Sequence, residues 1–139
     1  MSKSARLILA GALSALLLLL LGACSNRPPA PQKVTAEQNG KTITLRPGQE
    51  VIILLEANPT TGYAWEVAQV DEGILQQIGE TGYTPEATSP GVVGAGGTAA
   101  FRFQAVAQGT TTLQLAYRRP WETDKPPATT FTLTVRVRP

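Results

Sequence analysis

The chain has 139 residues, with no His, a single Cys, and 12 basic against 10 acidic side chains. That length suits one domain, one Cys excludes a disulfide within the chain, and the lack of His excludes Ser-His-Asp or Cys-His machinery and a zinc site built on His or Cys. A formal charge of +2, spread along the chain, gives no basic footprint for nucleic acid.

Lys3 and Arg6 precede an apolar run from Leu7 to Leu21. The run is short for a membrane span, which needs roughly 20 apolar residues. It closes on Leu21-Gly22-Ala23-Cys24, which resembles the bacterial lipobox: an aliphatic residue, two small residues, then Cys. The resemblance implies cleavage before Cys24 and diacylation of its thiol. Residues 1–23 are therefore expected to be a lipoprotein signal peptide, and residues 24–33 a lipidated Cys with a polar, Pro-rich tether. Proline favours extended chain, so the tether holds the domain off the membrane. Ser25 after the Cys implies, in a Gram-negative cell, an outer-membrane anchor facing the periplasm. Loss of the leader removes Lys3 and Arg6 and leaves ten basic and ten acidic side chains.

Residues 34–139 read as an all-β domain. Val34 to Gln38 and Lys41 to Leu45 flank Asn39-Gly40, which predicts a two-residue hairpin. Arg46 to Gln49 is a turn. Glu50 to Glu56 carries a continuous apolar run that suits a buried strand. Tyr63 to Val67 alternates, with Trp65 on the core side. Ile74 to Ile78 is ambiguous, and Glu80 to Gly91 reads as a long Gly-, Thr- and Pro-rich loop. Ala99 to Val106, Thr111 to Tyr117 and Thr129 to Val137 alternate apolar with polar residues. Seven or eight short strands in such a length predict an immunoglobulin-like β-sandwich.

Three segments interrupt the alternation without looking like ordinary turns: Asn58-Pro59-Thr60-Thr61-Gly62, Ser89 to Gly97, and Arg118 to Ala128. Successive antiparallel strands alternate direction, and these connections are each two strands apart. Topology therefore puts all three at one end of the sandwich, as in antibody variable domains.

These segments carry a resemblance. Asn58-Pro59-Thr60-Thr61-Gly62-Tyr63 with Trp65 following, then Gly94-Ala95-Gly96-Gly97, then Arg119-Pro120-Trp121, match in order the NPTTGY-x-W, GxGG and RPW motifs of the chagasin family of cysteine-peptidase inhibitors. The resemblance spans about residues 34–139. It implies a reversible, competitive inhibitor that fills the cleft of a papain-like cysteine peptidase with three loops and is not cleaved. It also implies that Thr60 and Thr61 lie nearest the enzyme's catalytic pair, and that Trp121 packs on an aromatic wall beside it.

The residue types suit that task. Pro59 fixes its own φ and biases Asn58 toward extended backbone, and Asn58 can bond nearby backbone. Thr60 and Thr61 are stiff, with hydroxyls able to bond an enzyme. Gly62 permits an unusual φ. Gly94 to Gly97 leave backbone groups open to a partner strand. Arg119 offers charge-assisted bonds at the rim, and Trp121, restrained by Pro120, is a hot-spot anchor. A pre-ordered loop of this kind loses little entropy on binding.

No metal, cofactor or nucleic acid is expected, and the domain is expected to act as a monomer. The alternative is a non-inhibitory envelope adaptor that binds a protein or glycan through the same loops or a sheet edge. The carboxylates at Glu50, Glu56, Glu66, Asp71 and Glu72 show no spacing that selects a reacting pair, so the chain is not read as an enzyme.

Overall fold

The computed structural model describes residues 27–87, 90–91 and 93–139. Cys24 and the leader before it lie outside the described residues. The strands are β1 (Gln32–Thr35), β2 (Thr42–Leu45), β3 (Glu50–Ala57), β4 (Ala64–Gln69), β5 (Leu75–Gln77), β6 (Gly82–Pro85), β7 (Gly97–Ala105), β8 (Gly109–Arg118) and β9 (Thr129–Val137). One sheet has the order β1-β3-β7-β5, with β6 also on β7, and the other has the order β2-β9-β8-β4. β1 lies parallel to β3 and β2 parallel to β9; the remaining pairs are antiparallel. This is the expected immunoglobulin-like sandwich, with nine strands among the described residues where seven or eight were expected.

The period of two decides what lies between the sheets. Phe101 and Phe103 on β7, Leu113 and Leu115 on β8, and Phe131, Leu133, Val135 and Val137 on β9 are all buried. β3 sits between β1 and β7, with Val51, Ile53 and Leu55 inward and Ile52 and Leu54 half-buried on the outer face. That double cover explains its unbroken apolar run. Burying each such side chain stabilises the fold by roughly 1.5–3 kcal/mol before entropy is subtracted.

The predicted Asn39-Gly40 hairpin is not formed. β1 and β2 belong to different sheets, and a short 3₁₀ turn, Ala36–Gln38, leads out of β1. Asn39 has φ −55° and ψ 129°, Gly40 has φ 76°, and Lys41 N–H donates to the Gln38 carbonyl at 3.0 Å. This is a type II turn, whose twist does not suit a hairpin. The Asn39 side chain instead accepts from Thr132 N–H at 2.8 Å, and Gly40 N–H donates to the Thr132 carbonyl at 2.7 Å. The dipeptide hands the chain across to β9 in the opposite sheet.

Two further differences have local causes. β6 lies within the expected loop, and all four of its residues are exposed, so no buried face imprints a pattern on it. Trp65 packs against the core only partly buried, and its Nε1–H donates to the Glu56 carbonyl at 2.8 Å. That bond caps a carbonyl on β3 just beyond the last residue paired with β1. Trp65→Phe keeps most of the ring and orphans the carbonyl. The expected loss is about 1–2 kcal/mol in urea unfolding.

β3 runs from the Arg46–Gln49 turn at one pole to Asn58 at the other. Its eight residues span about 26 Å at about 3.3 Å each.

Candidate functional site

The distal pole is built first from Asn58. Its backbone is extended, with φ −136° and ψ 89°, as the following Pro59 requires. Pro59–Thr61 then forms one 3₁₀ turn. Asn58 Oδ1 accepts from Thr60 N–H at 3.2 Å and from the Thr60 hydroxyl at 2.5 Å. The Thr61 hydroxyl donates to the Asn58 carbonyl at 2.6 Å, and Gly62 N–H donates to the Pro59 carbonyl at 3.0 Å. Both threonine hydroxyls therefore spend their single proton inside the loop. Toward a partner they offer lone pairs and methyl groups, not donors.

The loop is tied to its neighbours. Asn58 Nδ2–H donates to the Gly94 carbonyl at 3.0 Å, joining it to the glycine segment. Arg119 Nε–H donates to the Thr61 carbonyl at 3.1 Å, joining it to the β8–β9 loop. The tip of the Trp121 indole lies over Gly62, where a Cβ would stand 2.5 Å from Cη2. Gly62 has φ 80°, so it is needed both for the turn and for this contact. Trp121 remains 68% exposed beyond it. The three segments thus form one connected surface at one pole, as topology predicted.

Beneath the surface runs a stack of rings. The Arg119 guanidinium lies 4.7 Å from the Tyr63 ring centroid. Tyr63 stacks on Tyr117 at 5.3 Å, and Tyr117 meets Trp65 at 5.0 Å. The Tyr117 hydroxyl accepts from Asn58 N–H at 2.9 Å, so the stack is bonded to the loop above it. Tyr63, a candidate contact residue, is half-buried and carries the loop from below.

The RPW segment is held by Arg118, just outside the motif. Its Nη2 donates to the carbonyls of Glu122 at 3.0 Å, Thr123 at 3.2 Å and Lys125 at 3.4 Å. Glu122 in turn receives Lys125 Nζ at 2.9 Å and lies 3.7 Å from Arg119. The hydrogen bond from Lys125 holds the Glu122 carboxyl below its usual 4.5, aided by the charges of Lys125 and Arg119 and opposed by desolvation. A lowered carboxylate pKa stabilises the fold above 4.5, and that contribution is lost as pH falls through the lowered value. Acid titration of tryptophan fluorescence in a Trp65→Phe background, which leaves Trp121 as the emitter, is expected to show a transition below pH 4.5 that Glu122→Gln abolishes.

The glycine segment is divided. Gly94, with φ 83°, is exposed and Ala95 half-buried. The Gly96 carbonyl already accepts from Glu86 N–H at 2.9 Å, and Gly97 is the first residue of β7, paired with Ala57 on one side and Pro85 on the other. A Cβ on Gly97 would collide with Thr84 and Tyr83 of β6. Gly97 therefore serves close strand packing; the Gly94 carbonyl is held by Asn58, and among the described residues the Gly94 N–H and the Ala95 backbone are left to a partner.

Residues 44–135, from β2 into β9 and including all three loops, match the family model for chagasin family peptidase inhibitor I42. The chain belongs to the chagasin family of peptidase inhibitors. Chagasin of Trypanosoma cruzi is 39% identical over 93 residues, covering 64% of this chain and 82% of its own. Amoebiasin-1 of Entamoeba histolytica is 35% identical, covering 76% and 98%. The crystal structure of a cysteine protease inhibitor from Entamoeba histolytica superposes with a TM-score of 0.70 at 28% identity, covering 78% and 96%. The chagasin-family domain is an inhibitor and not an enzyme.

In this chagasin-family tip, sequence reading missed Tyr117 and Arg118. Tyr117 reads as the last residue of an alternating strand, and Arg118 as the first residue of the segment that runs to Ala128. The available signal was their place at the end of β8, directly before Arg119-Pro120-Trp121. Pro120 lies exposed between the two anchored residues.

Proposed function

We propose that residues 34–139 inhibit papain-like cysteine peptidases reversibly and competitively, by seating the three loops in the active-site cleft. The observation that carries this is the mutual locking of the loops through Asn58–Gly94, Arg119–Thr61 and Gly62–Trp121. A wedge already locked in one shape loses little conformational entropy on docking. Its apex is a closed turn whose Asn58, Pro59 and Thr61 carbonyls already accept hydrogen bonds. Such a turn does not offer the peptidase an extended strand to cleave. Asn58 to Tyr63, Gly94 to Gly97 and Arg119 to Trp121 are the assigned contact region, in which Thr60, Thr61, Gly94, Ala95 and Trp121 touch the enzyme and the others support them. The inhibitor acts as a monomer. Cys24 carries the lipid, which places the domain in the cell envelope, on the periplasmic face of the outer membrane in a Gram-negative cell.

Titration of papain with the folded domain tests the reading. Stoichiometric, reversible loss of activity is expected. Trp121→Ala should raise the inhibition constant about 30-fold, the size of a hot-spot truncation, and Thr61→Ala about tenfold. Absence of inhibition across several papain-like peptidases would refute it.

A further inference from the structure

The pole opposite the loops has a chemistry of its own. Gln49 Nε2–H donates to the Ala30 carbonyl at 2.9 Å, so the segment leading into β1 leaves from the β2–β3 turn. β9 ends at the same place, where Arg138 N–H donates to the Leu45 carbonyl at 3.0 Å. Thr44 pairs with Arg136 and Leu45 with Val137. Ile43, Leu45, Val135 and Val137 all point into the core. By alternation Arg136 faces outward from β9, and Arg46 and Arg138 directly follow Leu45 and Val137, the last paired residues of adjacent strands about 4.8 Å apart. All three are exposed and make no ion pair among the described residues, and Arg27 is exposed in the tether.

The loop pole is different. There Arg118 faces Glu66 at 3.6 Å, and Arg119 and Lys125 share Glu122. Two free carboxylates, Asp71 and Glu72, share the arginine pole, where Asp71 N–H donates to the Thr111 hydroxyl at 3.0 Å, but among the described residues neither forms an ion pair with the arginines. Glu50 is held by Arg102 at 2.7 Å, and Asp71 and Glu72 follow β4, which β8 separates from β9. Four basic side chains without an ion pair among the described residues, Arg27, Arg46, Arg136 and Arg138, thus stand at the tether pole against Asp71 and Glu72, whereas the loop-pole cations Arg118, Arg119 and Lys125 all have carboxylate partners.

We infer that the Arg46–Arg136–Arg138 face docks on an anionic phospholipid surface, so that a chain tethered from this pole presents its three loops away from the bilayer. The inference rests on the lipid-anchor reading of Cys24. Both the point of attachment and the sign of the charge favour the same orientation. Each basic side chain near an anionic surface strengthens binding about fivefold. The partner that reaches the loops is then a peptidase approaching from the aqueous side.

The test uses residues 24–139, which hold all nine strands, and vesicles of phosphatidylcholine with or without phosphatidylglycerol. At low salt the protein is expected to bind only the anionic vesicles. An Arg46→Gln, Arg136→Gln, Arg138→Gln triple variant should bind about 100-fold more weakly, while Lys41→Gln on the same sheet changes binding by less than about fivefold. Equal binding to both vesicle types, or an undiminished triple variant, would overturn the surface. For orientation, Cys24, the only thiol, is coupled to a maleimide lipid and the vesicles carry brominated acyl chains. Emission from Trp65 and Trp121, both toward the loop pole, should stay unquenched; quenching would show the loops facing the bilayer and end the proposal. A mature protein without acyl groups, or one that fails to inhibit papain, counts against the preceding reading and leaves these two measurements to stand alone.

Discussion

Gly62→Ala is expected to weaken inhibition of papain more than about 100-fold while the sandwich stays folded. Two costs coincide at this position. The residue has φ 80° and ψ −4°, a left-handed conformation that costs an L side chain about 1–2 kcal/mol. The new Cβ would also stand 2.5 Å from Trp121 Cη2 and 3.1 Å from Cζ2, so the indole has to leave its seat. The variant thus distorts the turn that carries Thr60 and Thr61 and displaces the aromatic anchor together. Both residues lie outside the core, so urea unfolding should register only the backbone strain. A double-mutant cycle isolates the shared part. Once Trp121 is Ala, Gly62→Ala should cost much less than it does alone, because the clash has gone. Retention of inhibition within threefold would mean that the Trp121 seat has no part in binding.

Asn58→Ala is expected to raise the inhibition constant about 100-fold and, because its bonds also hold the free loop, to lower stability in urea unfolding. The side chain makes three bonds, to Thr60 N–H, to the Thr60 hydroxyl and to the Gly94 carbonyl. At about 1 kcal/mol each, they amount to roughly the 3 kcal/mol behind a 100-fold change. The loss appears in binding because these bonds shape the loops that dock. Asn58→Asp separates the two roles. It keeps both acceptor bonds but replaces the Nδ2 donor with an oxygen that faces the Gly94 carbonyl. If the link between loops matters, Asp behaves nearly as badly as Ala; if only the turn matters, Asp behaves like wild type.

The strands that were legible in the sequence were those whose two faces meet different solvents. β9 emerged with its boundaries as predicted, because Phe131, Leu133, Val135 and Val137 alternate with Thr and Arg. β6 was invisible for the converse reason, since neither face is buried. Asn39-Gly40 was misread because a left-handed glycine serves a hairpin and a sheet-crossing turn alike. What distinguished them was the partner of Asn39, which lies 93 residues away at Thr132.

The candidate site divides along the same line. Composition alone excluded His- and Cys-based chemistry, and motif order with strand count alone put three loops at one pole. Those are properties of residue type and of order along the chain. The division of labour among the residues was settled only by the fold. The threonine hydroxyls turned inward to Asn58, Arg119 became a clamp on Thr61, Gly97 became a strand-packing position, and Tyr117 and Arg118 became the supports. A side chain's type says which bonds it can make, and the pattern along a strand says which face it occupies. Which of its possible partners it meets depends on segments far apart in sequence that only the packed sheets bring within 3 Å or so of one another.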